Sequence, residues 1–227
     1  MSFLEQYRSP SDLPARIPVF PLLGAIALPR TTLPLNVFEP RYLTMIDDVL
    51  RGERIVGIIQ PTGDGGSTGS PSSRTAPLQA VGCATRLSAF QEQSDGRLLI
   101  TLTGICRFDV SGEAESDTPY RKLSVAYDRF ADDLVAARGA EDVPRARLLA
   151  VLQRYLQARN LKPDWEAIEQ SENEDLVNGL AIAGPFAPPE KQALLEASTL
   201  ADRAAALIAL AEMELASPAG KPGSRLQ

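Results

Sequence analysis

Acid–base and nucleophilic catalysis rest on a few residue types, and this sequence lacks the commonest of them. Its 227 residues contain no histidine. A Ser-His-Asp triad, a Cys-His dyad and every histidine-ligated zinc site are therefore excluded. The two cysteines, Cys83 and Cys106, cannot complete a four-thiolate zinc site, and they fall in expected strands without paired spacing. They read as small buried residues of a chain kept in a reducing compartment. The segment "PTGDGGSTGSPSSRTAP", 61–77, is rich in glycine, but a phosphate-cradling loop needs a Gly-Lys-Ser/Thr end that feeds a helix. This segment has no lysine and runs into a strand pattern, so it is expected to be a mobile loop. Aspartates and glutamates are plentiful, and an enzyme using carboxylates alone would need two of them converging in a concave pocket. No catalytic residue, metal ligand or cofactor-binding residue is expected.

What remains is recognition. Glu39, Arg41 and Tyr42 form the sharpest polar cluster. Arg41 could act as a bidentate donor to a peptide carboxylate, or the cluster could be a helix-start ion pair with Tyr42 packed beneath it. Phe20, Leu22, Leu23, Ile26 and Leu28 are more numerous than one strand face requires, so some could form an exposed contact patch rather than core. The candidate peptide-binding residues are Phe20, Leu22, Leu23, Phe38, Glu39, Arg41 and Tyr42. Arg107 is outward by strand parity, where it either meets a carboxylate or is solvated.

These residues must be held by a globular framework. The chain is 44% apolar and 23% charged, enough for one large domain or two small ones sharing a core. A net charge of −6 disfavours nucleic acid as a partner, because backbone binding needs a basic footprint. The N-terminus has no secretory apolar run, and "AAALIALAEMEL" at 204–215 is too short to span a bilayer. A soluble, cytoplasmic protein without membrane contact is expected.

Strand patterns fill the first half. Leu33, Leu35 and Val37 alternate, and "RIVGIIQ" at 54–60 is apolar on both faces. "AVGCATRLSAFQ" and "GRLLITLTGICRFDV" form a hairpin through Asp95-Gly96, with Val81, Cys83, Leu87 and Ala89 on one parity. Gly104 lies within the second strand, where a glycine permits a bend or a close backbone approach. Leu123, Val125 and Tyr127 mark another strand, and several long bent strands argue for a closed or half-closed barrel. One helix interrupts them, from Pro40 through Tyr42, Met45, Ile46 and Val49 to Gly52. Glu39, just before it, would favour the positive helix end if exposed. After about residue 131 the period becomes helical, with Leu148, Leu149, Leu152, Tyr155 and Leu156 on one stripe and Asp142 as a cap. Further helices are expected near "DWEAIEQ", "NEDLVNGLAIA", "PEKQALLEAS" and "TLADRAAALIALAEMEL".

The stretch "IPVFPLLGAIALPRTTLPLNVFEPRY" resembles the start of the Lon substrate-binding domain, the N-terminal domain of the ATP-dependent protease Lon. The resemblance rests on Pro18 through Leu22 and Leu33 through Tyr42. It extends to "VGCATRL" with "DGRLLITLTGICRFDV", and to "EKQALLEASTLADRAAALIALAEMEL". It implies an α+β fold, a PUA-like twisted β pseudobarrel followed by a C-terminal helical bundle, in which prolines mark barrel corners. The implied organisation is an N-terminal extension (1–14), a barrel (15–130), a helical part (131–215) and a disordered tail (216–227). The sequence carries no Walker A motif, and Lys122 with Ser124 on alternate strand positions does not make that family's Ser-Lys dyad. A non-enzymatic module for peptides or unfolded protein segments is implied. A specific protein-docking adaptor is the alternative, and a PUA-like RNA binder is disfavoured by the acidity.

Overall fold

The computed structural model describes residues 3–63, 76–161 and 163–216. Its strands are β1 (Arg16–Pro21), β2 (Thr32–Val37), β3 (Ile55–Pro61), β4 (Leu78–Glu92), β5 (Leu98–Ala114) and β6 (Lys122–Ala126). They join in the order β2-β5-β4-β3-β1-β6, and β6 returns to pair with β5. Five strands therefore close on themselves, as the bent-strand pattern predicted. The long β5 makes this possible by offering different segments to two neighbours: Leu98–Thr103 pair with β2, and Asp109–Ala114 with β6. β1 divides its pairing similarly. Arg16–Pro18 face β6 antiparallel, and Val19–Pro21 face β3 in parallel.

The prolines fall at the joints of this scheme. Pro18 stands where β1 passes from β6 to β3, and Pro21 and Pro61 end strands. Pro34 lies in β2, which has β5 as its one strand partner and can tolerate a missing donor. Pro40 opens helix α1 (Pro40–Arg51), which buries the predicted Tyr42, Met45, Ile46 and Val49. Gly104 is a point of close approach: its N–H donates to Thr31 O and its carbonyl accepts from Arg30 N, both at 2.9 Å.

The single parity expected for β4 does not hold, because the strand carries two register shifts against β5. Gly82 and Ala84 pair with Phe108 and Cys106, while Val81 and Cys83 pair with Asp109 and Arg107. Between Ala84 and Thr85 the inward set thus changes from even to odd. A second shift between Leu87 and Ala89 leaves Ala89 exposed. The Asp95-Gly96 turn is present, with Gly96 at φ 82°.

Among the described residues five α-helices follow the strands: α2 (Arg145–Ala158), α3 (Trp165–Gln170), α4 (Asn173–Ala183), α5 (Pro188–Glu196) and α6 (Leu200–Ala216). Asp142 does not cap α2. It belongs to a short 3-10 turn, and Pro144 holds the N-cap position. Buried side chains of barrel and helices form one continuous cluster, from Ile17 and Phe108 to Leu194 and Leu207. Tyr7 and Leu13 of the N-terminal stretch join it, and Tyr127 Oη donates to Pro14 O at 3.0 Å. Of the 61–77 segment, residues 64–75 lie outside the described residues, as do 217–227 of the tail. At the segment's base Thr62 N–H donates to Pro77 O at 2.7 Å.

Candidate functional site

Beyond the barrel's closure, β2, β5 and β4 continue as a three-stranded end. Register aligns Leu35, Ile100 and Phe90 across these strands, and paired positions share a face. Leu99 lies between Asn36 and Gln91 on the opposite face. Phe38, at the exit of β2, is 64% exposed, Phe90 49% and Leu99 44%. Apolar surface is thus exposed on both faces of this sheet end, by Phe90 on one and Leu99 on the other.

The sequence-derived candidates divide around this end. Phe20 and Tyr42 are buried and stacked on each other, with ring centroids 4.0 Å apart. Arg41 lies 4.5 Å over the Tyr42 ring and donates to Glu39 Oε2 at 2.7 Å. Glu39 is the N-cap residue of α1, but its carboxylate is held by Arg41 rather than by the helix N–H groups. The helix-start ion pair over a packed tyrosine is thus the arrangement present. Leu22 is half-buried, and Leu23 is 39% exposed in the loop after β1. Among the seven candidates, Phe38 and Leu23 are the ones that present apolar surface.

Phe90 and Leu99 were missed. The parity of Val81, Cys83, Leu87 and Ala89 already put Phe90 on the outward face, and an aromatic residue at an outward position was the available signal. The shift after Leu87 instead aligns Phe90 with Ile100, beyond the closed part of the barrel, where it stays exposed.

Of the two alternatives for Arg107, the structure shows the one in which it meets a carboxylate. It points out of the barrel as parity requires, yet it is only 4% exposed. A 3-10 segment (Asp128–Leu134) and the α5–α6 junction cover it. Its Nε and Nη2 each donate to Asp133 at 2.8 Å, and its Nη1 donates to the carbonyls of Leu195 and Ala197. Asp133 also accepts the Arg107 backbone N–H at 3.0 Å. This network ties barrel to helices. In the nearby cleft Asp133 is held by Arg107 and Glu174 by Arg30, while Asp132, Glu141 and Asp142 lie exposed at its rim. Carboxylates committed to arginines are poor general acids or bases.

Other reactive groups are equally closed off. Cys83 and Cys106 are free and buried; burial pushes the Cys83 thiol up to about 12 and the Cys106 thiol up as well. Thiolate is the reactive form, so a water-soluble disulfide reagent is expected to label neither cysteine in the folded protein and both after denaturation. No cluster of three or more metal-ligating groups occurs among the described residues. In the helical part, Leu148, Leu152, Tyr155, Leu180, Phe186 and Leu207 help line an apolar groove of about 470 Å³. No helix among the described residues is long and apolar enough to cross a membrane.

Solved structures define the class of fold. A Lon N-terminal domain protein from Xanthomonas campestris superposes with TM-score 0.60 at 23% identity, covering 86% of this chain and 97% of that one. The N-terminal domain of Lon protease from the Mycobacterium avium complex gives TM-score 0.62 at 17% identity, covering 87% and 98%. Residues 16–212 match the ATP-dependent protease La (LON) substrate-binding domain, and the chain belongs to that family. Among sequence relatives, Lon protease from Syntrophus aciditrophicus is 21% identical over 84% of this chain and 24% of that protein. Lon protease from Desulfosudis oleivorans is 27% identical over 50% of this chain and 14% of that protein. The matched regions therefore cover a quarter or less of those proteases.

Proposed function

We propose that this protein is a non-enzymatic, cytoplasmic module that binds unfolded or extended polypeptide segments. Apolar side chains of the segment rest on the sheet end formed by β2, β5 and β4. The supporting observation is the exposure of three large apolar residues at this end, Phe38 after β2, Phe90 on the Leu35–Ile100 face and Leu99 on the other face, each more than two-fifths exposed. Half-buried Leu35 extends the apolar surface on the Phe90 face, while the Glu39–Arg41 pair and the Phe20–Tyr42 stack hold the chain that leaves β2. Membership of a substrate-binding family supports the reading, and the exposed apolar residues of the sheet end support its location there.

The test is fluorescence anisotropy with a reduced, alkylated and permanently unfolded model protein at low and high salt. Apolar contact predicts binding that survives high salt. Replacing both Phe38 and Phe90 by serine is expected to weaken it at least about 10-fold, because a few large side chains carry most of an interface. These positions are exposed, so the thermal midpoint should change little. Absence of binding, or binding only to single-stranded RNA with steep loss at high salt, would overturn the reading.

A further inference from the structure

The three-stranded end has two margins, and their backbones offer different things to a neighbour. On the β4 side, β3 pairs no further along than Ile55 opposite Arg86. One more bond follows, from Leu87 N–H to Arg54 O at 2.8 Å. Arg54 has a left-handed φ of 61° and its N–H donates to Val49 O, so the chain before β3 turns away toward the end of α1. From Ser88 to Glu92, β4 therefore has β5 on one side and no strand on the other among the described residues. Every residue of this stretch is exposed.

Antiparallel pairs alternate between those that exchange hydrogen bonds and those that do not. Gln93 N–H donates to Arg97 O at 2.8 Å, which sets the phase: Gln91 bonds to Leu99 and Ala89 to Thr101. Phe90 and Glu92 then turn their N–H and C=O groups away from β5, onto the open margin. On its other side β5 bonds to Leu33, Leu35 and Val37, so the alternate residues of β2, Thr32, Pro34 and Asn36, face outward. Pro34 has no donor to present there, and a proline is one of the ways in which sheet edges are blunted. The β4 margin has no proline. Its unpaired donors and acceptors are complementary to one kind of partner, an extended chain.

We propose that the Phe90–Glu92 margin of β4 receives an extended polypeptide segment as an added strand. Backbone hydrogen bonds to Phe90 and Glu92 hold the segment, and alternate side chains lie on the face that carries Phe90. The proposal rests on the polypeptide-binding role proposed above and adds its mode: pairing at one edge, which selects segments free of proline and rich in β-branched or aromatic residues. A second copy of the chain is the competing occupant. A strand pair of this length buries well under the roughly 1,200 Å² of a stable interface, which fits a transient segment better than a permanent partner.

The experiment is fluorescence anisotropy of the intact protein with the labelled peptide acetyl-Lys-Thr-Val-Thr-Val-Thr-Val-Lys-amide. Two derivatives carry backbone N-methyl groups, one on all three valines and the other on all three threonines. Alternate N–H groups of an added strand face β4, so one derivative should bind at least about 10-fold more weakly than the parent and the other nearly as well. On the protein, Glu92→Pro removes an outward N–H without breaking the ladder to β5. It should weaken the parent peptide at least about 10-fold relative to Glu92→Ala. No binding of the parent peptide, equal binding of the two derivatives, or equal binding by the two Glu92 variants would overturn strand addition. Unfolded-protein binding that still depends on Phe38 and Phe90 would then leave the broader role standing, whereas its absence would remove both. A dimer at micromolar concentration that Glu92→Pro dissociates, read by sedimentation velocity, would assign the edge to a second copy and also overturn the proposal. Should Glu92→Pro fail to fold, the pair of methylated peptides still decides.

Discussion

Replacing Asp133 by alanine is expected to lower the unfolding free energy by about 3–5 kcal/mol, because it strands the buried Arg107 guanidinium. Asp133 takes three hydrogen bonds from Arg107, two from the guanidinium and one from the backbone. At 4% and 9% side-chain exposure, neither partner has water to fall back on. With a urea dependence of about 1–3 kcal/mol per molar, the midpoint should fall by roughly 1 M or more. The paired substitution Arg107→Met with Asp133→Leu separates the charge effect from lost packing. It removes both charges at once, and an apolar pair of similar volume can equal or exceed a buried ion pair in stability. It should therefore recover much of the loss, leaving the cost of the Leu195 and Ala197 carbonyls that Arg107 had satisfied. A double variant as unstable as the single one would refute the charge argument.

Gly104→Ala should be comparably severe, for a purely steric reason. A Cβ on Gly104 would sit 1.9 Å from Leu28 O and 2.7 Å from its carbonyl carbon. Both are backbone atoms that no rotamer change can move aside. Relief requires prising the chain before β2 away from β5, which breaks the hydrogen bonds of Gly104 with Arg30 and Thr31. A loss of about 3 kcal/mol or more is expected, at the upper end for overpacking. Gly112→Ala on the same strand is the control, since a Cβ there meets nothing within 4 Å. It should change the unfolding free energy by no more than about 0.5 kcal/mol. Equal effects at the two glycines would show that strand propensity, not close approach, governs the site.

The barrel and its helices were legible because each depends on local periodicity. The alternation of Leu33, Leu35 and Val37 survives as a half-buried edge strand, and the 3.6-residue spacing from Tyr42 to Val49 survives as a buried helix face. Gly104 was legible too, since a glycine inside a long strand has few reasons to be there. Parity failed where the chain departs from a regular ladder. The two shifts in β4 reversed the faces of Val81 and Cys83 and turned Ala89 outward, effects that depend on the partner strand and not on local spacing. For Arg107 the carboxylate contact was one of two alternatives, and its burial was the part not legible. Outward from a barrel is not outward from the molecule when another layer lies on top, and the covering Asp133 is distant in sequence. At the sheet end Phe38 was visible at the motif's end, whereas the place of Phe90 opposite Ile100 depends on the register shift in β4.

The pairing of β1 has a consequence for how the chain comes into being. Ile17 finds its partner Leu123 in the last strand, and Val19 finds Gly57 in the third. During synthesis the opening strand therefore emerges long before the strand that closes the ring beside it. Until Lys122–Ala126 leave the ribosome, the free margins of β1 and β5 are open templates for the wrong neighbour. A nascent or cleaved chain stopping short of residue 122 should thus behave as an aggregation-prone intermediate. Completion of the ring, late and non-local, should set the pace of folding.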